Sequence, residues 1–223
     1  MARTFESEQD METFVSEYYR KTLPKDWLCA VQCVSADGIA DIVLARVNPD
    51  TLLRRRRSKI TPVLQYVSCS VLAALQSRGP LSLSELRGMT RYSTDYLRRK
   101  VLRGMIADSL VRREGPNYAL TGLFSSPIDE IIAIELKLGN WRRAVYQASR
   151  YHRFADRSYV AMALEGSIRD RITEAVANTE LGLMFVADGQ VTTVLEASEQ
   201  EPRSNTDRIF VSEQVLLKSL QAF

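Results

Sequence analysis

The run Ile132-Ala133-Ile134-Glu135-Leu136-Lys137-Leu138 constrains this chain more than any other stretch. Its apolar residues predict a strand packed in a core, yet two alternate positions are charged. Side chains alternate between the faces of a strand, so Glu135 and Lys137 share one face. A carboxylate and an ammonium on a half-buried face are costly unless they have partners or a chemical task. A cross-strand salt bridge is the plain explanation. A chemical task is the alternative, and which one depends on the residues that the rest of the chain places beside Glu135 and Lys137.

The surroundings narrow the setting. At 223 residues and 45% hydrophobic content, the chain can build one large or two small domains with a proper core. No apolar run approaches a membrane span, and the polar, acidic Met1–Asp10 stretch predicts no signal peptide. Three cysteines without paired metal spacing (Cys29, Cys33 and Cys69) fit buried thiols in a reducing, cytoplasmic setting. A single histidine, His152, leaves little for zinc or histidine-base chemistry, and its place on a polar helix predicts a surface position. The charge is lopsided. Residues 46–113 carry 15 Lys and Arg against 4 Asp and Glu, a local net of +11 that leaves −8 for the rest of a chain totalling +3. Such asymmetry fits a polyanion-binding segment joined to an acidic body, or a solvated basic face.

Along the chain, helical spacing predicts a helix over Thr4–Thr22, and Asp37-Gly38 a hairpin between strands at Leu28–Ser35 and Ile39–Val47. Asn48-Pro49-Asp50 reads as a turn. From about Ile60 to Gly122 the pattern changes. A helix over Pro62–Gln76, a short one opened by a capping box at Ser82–Glu85, and a third capped by Ser93 are followed by a hairpin over Leu110–Leu120. In the third helix Leu97, Val101, Met105 and Ile106 are expected inward. Three helices and a hairpin resemble a winged helix-turn-helix. After Ser125, strands at Glu130–Leu138, Ser158–Ala163 and Gly182–Ala187 alternate with helices over Asn140–Phe154 and Ser167–Asn178. A hairpin partner over Gly189–Glu196, a polar loop over Glu196–Asp207 and a helix over Ser212–Ala222 complete an α/β layout around a mixed sheet.

Phosphodiester hydrolysis needs the phosphate charge neutralised and hydroxide made near neutral pH, and bound Mg²⁺ does both. Its oxygen ligands are usually one or two carboxylates with water and phosphate. Glu135 and the Leu136 carbonyl are candidates, with Lys137 to hold the attacking water or the phosphate. Asp41, the single acid in the apolar run Gly38–Leu44, is the best second carboxylate. Asp129 is nearer in sequence, but six strand residues span roughly 20 Å, too far for a shared ion.

These residues make the chain resemble the PD-(D/E)XK nuclease superfamily, whose pattern is an acid on one strand and Glu-x-Lys on the next, with a helix behind. Asp41, Glu135 and Lys137 match it. Gln147 and Tyr151, four apart on one helix face, resemble the Gln-x-x-x-Tyr element of its RecB-like branch. The resemblance covers about 160 residues and implies a restriction-endonuclease-like sheet flanked by helices, Mg²⁺ (with Mn²⁺ able to substitute), and another acid from the first helix. Glu8 is preferred to Glu12 there. Ala40 stands where the family has proline. The long gap from Asp41 to Glu135 implies that a winged-helix domain, residues 59–122, is inserted into a nuclease-like domain of residues 1–58 and 123–223.

The basic surface of such an insert would be Arg91, Tyr92, Thr94, Arg98, Arg99 and Arg103 around the third helix, with Arg112, Arg113 and Tyr118 in the wing. Arg54, Arg55, Arg56 and Arg57 would track phosphates at the junction. Cys29 and Cys33, alternating on one strand face, and Trp27 and Trp141 read as packing residues. The expectation is a Mg²⁺-dependent endonuclease of duplex DNA, cytoplasmic and nucleoid-associated. Its rival is a DNA-binding regulator or assembly subunit on an inactive nuclease scaffold. A homodimer or a larger nucleic-acid-processing complex is compatible with either, and RNA is a weaker candidate substrate.

Overall fold

In the computed structural model, which describes residues 5–164, 166 and 168–220, the strand bearing the two charges lies inside a six-stranded mixed sheet. The chain begins with α1 (Glu8–Thr22), β1 (Trp27–Ser35), β2 (Gly38–Val47) and α2 (Pro49–Arg57). Next come α3 (Tyr66–Arg78), β3 (Leu81–Ser82), α4 (Leu83–Thr90), α5 (Thr94–Tyr96), a π-helical stretch (Leu97–Leu102), α6 (Arg103–Ala107), β4 (Val111–Glu114) and β5 (Asn117–Leu120). It ends with β6 (Ile128–Lys137), α7 (Trp141–Arg150), a 3₁₀ turn (Tyr151–Arg153), β7 (Arg157–Met162), α8 (Ile168–Ala177), β8 (Gly182–Ala187), β9 (Gln190–Leu195) and α9 (Asn205–Leu220). Thr4, Ser167 and Ala222, expected helix bounds, lie outside the described residues.

The sheet order is β1-β2-β6-β7-β8-β9. β6, β7 and β8 run parallel, and the other neighbours are antiparallel. One face packs on α7, α8 and α9 through residues such as Ala144, Ala148, Ile172 and Val215, and the other on α1 through Met11 and Val15. This two-sided burial is why Ile131–Ile134 of β6 and Tyr159–Met162 of β7 are uninterrupted apolar and aromatic runs. The outer edge of β1 is covered by α9. Gln214 accepts from Val34 N (2.9 Å) and donates to Val34 O (2.7 Å), and Lys218 Nζ donates to the carbonyls of Val31 (2.6 Å) and Gln32 (2.7 Å).

The chain leaves β2 and re-enters β6 at adjacent points: Val47 pairs with Ile128, and Asn48 N donates to Pro127 O at 2.8 Å. Between them, a three-stranded sheet of order β3-β5-β4 and the helices α3 to α6 enclose a separate core that includes Leu72, Leu86, Leu97 and Met105. Phe124 and, from α9, Ile209 belong to that core, so its edges run beyond residues 59–122.

Several local expectations are corrected. Asn48-Pro49-Asp50 opens α2 instead of forming a turn: the Asn48 side chain accepts from Thr51 N (3.0 Å), and Pro49 sits where its missing N–H is harmless. Helix α3 starts at Tyr66, because residues 62–65 form the approach in which Val63 N donates to Glu213. α9 starts at Asn205, seven residues before the expected Ser212, with Asp207 N bonded to Ser204 Oγ. Ile106, expected inward, is 41% exposed, because the wider π turns before it rotate the following face. His152 is buried, with Nδ1 unpartnered, and burial lowers its pKa. Cys29 and Cys33 lie against opposite faces of the sheet. Between them Gln32 adopts a left-handed φ of 52°, which breaks the strand alternation. All three cysteines are free, and burial pushes the Cys33 and Cys69 thiols up to about 12. Among the described residues, no helix is long and apolar enough to cross a membrane.

Candidate functional site

Antiparallel pairing of Ile42 with Ile134 carries Asp41 to the rung of Glu135. Asp41 does not complete that rung with its backbone. Its Oδ2 accepts from Leu136 N (2.8 Å), fixing the carboxylate against β6. On its other side Asp41 faces Gln32, and these two residues are skipped in the Cα pairing while Val31–Ile42 and Cys33–Ala40 keep one register. Both strands are therefore distorted at a single rung, and the distortion turns polar side chains together. Gln32 Nε2 approaches Asp41 Oδ1 (3.4 Å) and donates to Glu12 Oε2. A non-glycine residue with positive φ costs backbone free energy and recurs at functional sites.

Glu135 is 1% exposed. Tyr151, at the end of α7, reaches it with a hydroxyl that also lies 2.8 Å from Ile39 O. That hydroxyl has one proton and two acceptors beside it, the Glu135 carboxylate and the Ile39 carbonyl. The other oxygen, Glu135 Oε1, lies 2.9 Å from Lys137 Nζ as an ion pair but has no hydrogen bond of good geometry. Burial first, then the Asp41 charge, pushes the Glu135 carboxyl above its ordinary range. Burial also raises Asp41, against the opposing pull of the Leu136 amide and Lys137. For Lys137, burial alone would lower the pKa, and its contacts with Glu135 and Glu8 outweigh that and raise it. Burial and Glu135 raise the Tyr151 phenol.

Lys137 Nζ donates to Leu136 O (2.9 Å) and Glu8 Oε2 (3.1 Å). One cation thus touches oxygens of Glu8, Glu135 and the Leu136 carbonyl, and the ammonium stands in for an ion in testing whether these residues fit a metal. They fit a hard cation that keeps several waters: two raised carboxylates across one rung, one of them with a buried oxygen held only by the lysine, plus a main-chain carbonyl. Among the described residues, no three Asp, Glu, His or Cys side chains lie close enough to hold a metal by themselves.

The two first-helix acids divide. Glu8 reaches Lys137, while Glu12 is buried and bonded to Gln32 and Gln9. Gln147 lies one turn before Tyr151, its Oε1 buried without a partner. Gln32 went unnoticed in the sequence, where a glutamine in a strand gives no sign of positive φ.

The basic residues are dispersed. Arg55 is not at the surface: it is 3% exposed, binds both oxygens of buried Glu213, donates to Thr61 O and stacks over Phe124 at 5.4 Å. Arg54, Arg56 and Arg57 are exposed. Arg91 caps α4 in the left-handed region (φ 62°), and Tyr92 stacks on Tyr96 with centroids 5.7 Å apart. Arg98 and Arg99 are exposed but pair with Asp95, at 3.3 and 2.7 Å. With Lys100, Arg103 and Arg113 they rim a recess of about 590 Å³ whose wall includes the largely buried Tyr118. Thr94 is half-buried, and Arg112 pairs with Glu114 (2.6 Å).

The chain aligns with the solved structure of SPO1766, a protein of unknown function from Silicibacter pomeroyi, at 11% identity over 99% of this chain and 88% of that one, with a TM-score of 0.44. No protein-family model and no curated protein sequence matches the chain.

Proposed function

We propose that this chain is a Mg²⁺-dependent nuclease of the PD-(D/E)XK type acting on duplex DNA, with the segment between β2 and β6 serving as a winged-helix binding module. One observation carries the reading. Asp41 and Glu135, 94 positions apart in sequence, share a rung of two neighbouring strands, beside Lys137 and Tyr151. A second observation supports it: the recess between the α5–α6 helix and the β4–β5 hairpin is rimmed by arginines, as backbone contact with a polyanion requires.

Glu135, Asp41 and the Leu136 carbonyl would hold the ion. Once bound, it supplies Lewis acidity at the phosphate and lowers the pKa of water. Tyr151 orients the Glu135 carboxylate by hydrogen bonding, and the Leu136 amide orients Asp41. Lys137 offers an ammonium to the scissile phosphate or the attacking water. Gln32 ties Asp41 to Glu12 and so to α1. Mn²⁺ is expected to substitute.

Incubating supercoiled plasmid with protein and Mg²⁺ tests the reading, with Asp41→Ala as control. Nicking by the wild type, reduced at least about a hundredfold in the variant, is expected; equal nicking by both, or none by either, rejects it. The sparse donor set favours one alternative, a metal-free DNA-binding subunit on the same scaffold. Salt-sensitive duplex binding that survives EDTA, without cleavage under any metal, would select it.

A further inference from the structure

We infer that the Lys137 ammonium occupies the divalent-cation position in the resting protein, so that metal and lysine exchange on one set of oxygens. This inference rests on the nuclease reading above.

The geometry is direct. Lys137 Nζ lies within 3.1 Å of three oxygens: Glu8 Oε2, Leu136 O and Glu135 Oε1. Two of these three groups are the proposed metal donors. An ammonium has three N–H donors, and three oxygens surround it. An ion bound by Glu135 and the Leu136 carbonyl would sit a few ångströms from that ammonium, where repulsion between like charges is strong. Both cations therefore cannot share the oxygens. Lysine suits such an exchange, being a compact charge on a flexible four-carbon stem. Its position suits it too, because Lys137 is the last residue of β6 and Glu8, its outermost partner, is half exposed.

The resting ammonium offsets the repulsion among Glu8, Asp41 and Glu135, which holds the acids together without metal. On exchange, the same ammonium gives up Glu135 and the Leu136 carbonyl and keeps only the half-exposed Glu8. The phosphate of a bound nucleic acid then becomes its natural partner. Metal loading and phosphate capture are coupled in this way through one side chain.

Mn²⁺ binding to the whole protein at pH 7, measured by isothermal titration calorimetry, tests the exchange without any cleavage readout. If the lysine-out state is about a tenth of the population, removing the competitor tightens binding about tenfold. Lys137→Met is therefore expected to bind one Mn²⁺ about tenfold more tightly than wild type, and Glu135→Gln to bind it weakly. Equal or weaker binding by Lys137→Met, with binding still lost in Glu135→Gln, overturns the exchange and leaves the metal site standing. No binding by wild type or Lys137→Met overturns both. Amine acylation of the wild type, read by mass spectrometry, keeps the test independent of the variant's folding. Acylation of Lys137 should rise on adding Mn²⁺ while the other lysines stay constant, and unchanged labelling of Lys137 overturns the inference.

Discussion

At the scale of single residues, the site holds two acids whose pKa values are both raised, in each case chiefly by burial. A carboxylate whose pKa in the folded protein lies above its unfolded value weakens the fold at pH above that folded value. The penalty vanishes once the pH falls below the unfolded value. Asp41 is in this class. Asp41→Asn keeps an oxygen for Leu136 N and removes the charge, so it should stabilise the protein at pH 7 by about 1 kcal/mol. That corresponds to a thermal midpoint roughly 3 °C higher. The gain should shrink as the pH is lowered toward about 4, and a midpoint that does not rise at pH 7 would contradict the picture. Not every participant was readable beforehand. Glu135, Lys137 and Tyr151 stand out because period-2 and period-3.6 patterns put charge and hydroxyl on faces that should be apolar. Gln32 leaves no such trace, because its left-handed backbone arises from strands that pair only in the folded sheet. Arg55 misled for the same reason: it sits within four consecutive arginines, and its carboxylate partner is 158 positions away.

At the scale of elements, strand and hairpin positions follow the apolar alternation closely. β8 spans Gly182–Ala187 as expected, and the Asp37–Gly38 and Glu114–Asn117 turns join the expected strands. The ends that moved were those governed by contacts rather than by pattern, such as the approach to α3 and the early start of α9. One strand residue has a strict requirement. A Cβ on Gly182 would overlap the ring of Tyr159 on β7 and lie 2.9 Å from Ala197 N. The ring cannot move aside freely, since Tyr159 Oη donates to Glu196 Oε2 at 2.7 Å. Gly182→Ala should therefore destabilise by about 2 kcal/mol, in the range of overpacked cores, as chemical denaturation would measure. A neutral result would mean that β7 and β8 separate easily at that rung.

At the scale of the molecule, the helical segment is joined to the sheet by more than its two chain crossings. Arg55 of α2 and Glu213 of α9 form a buried pair that also receives Val63 N at 2.7 Å, and Ile209 enters the segment's own core. Arg55→Met alone strands a buried carboxylate and should cost about 3 to 5 kcal/mol. Adding Glu213→Leu should recover most of that loss, short of about 1 kcal/mol for the unbonded Val63 amide. If the double variant is as unstable as the single one, the pair stabilises the fold in its own right. Neither partner announces this role in the sequence, because a buried pair between distant segments has no local period.

That buried bolt has a geometric consequence. With α2, α9 and the approach to α3 clamped to one another, the clamp opposes hinging of the helical segment, and of its arginine-rimmed recess, against the sheet that carries Asp41 and Glu135. On the nuclease reading the molecule is then a ruler: the cut falls at a constant number of base pairs from the bound stretch, and loosening the clamp blurs the graduation while the blade stays sharp.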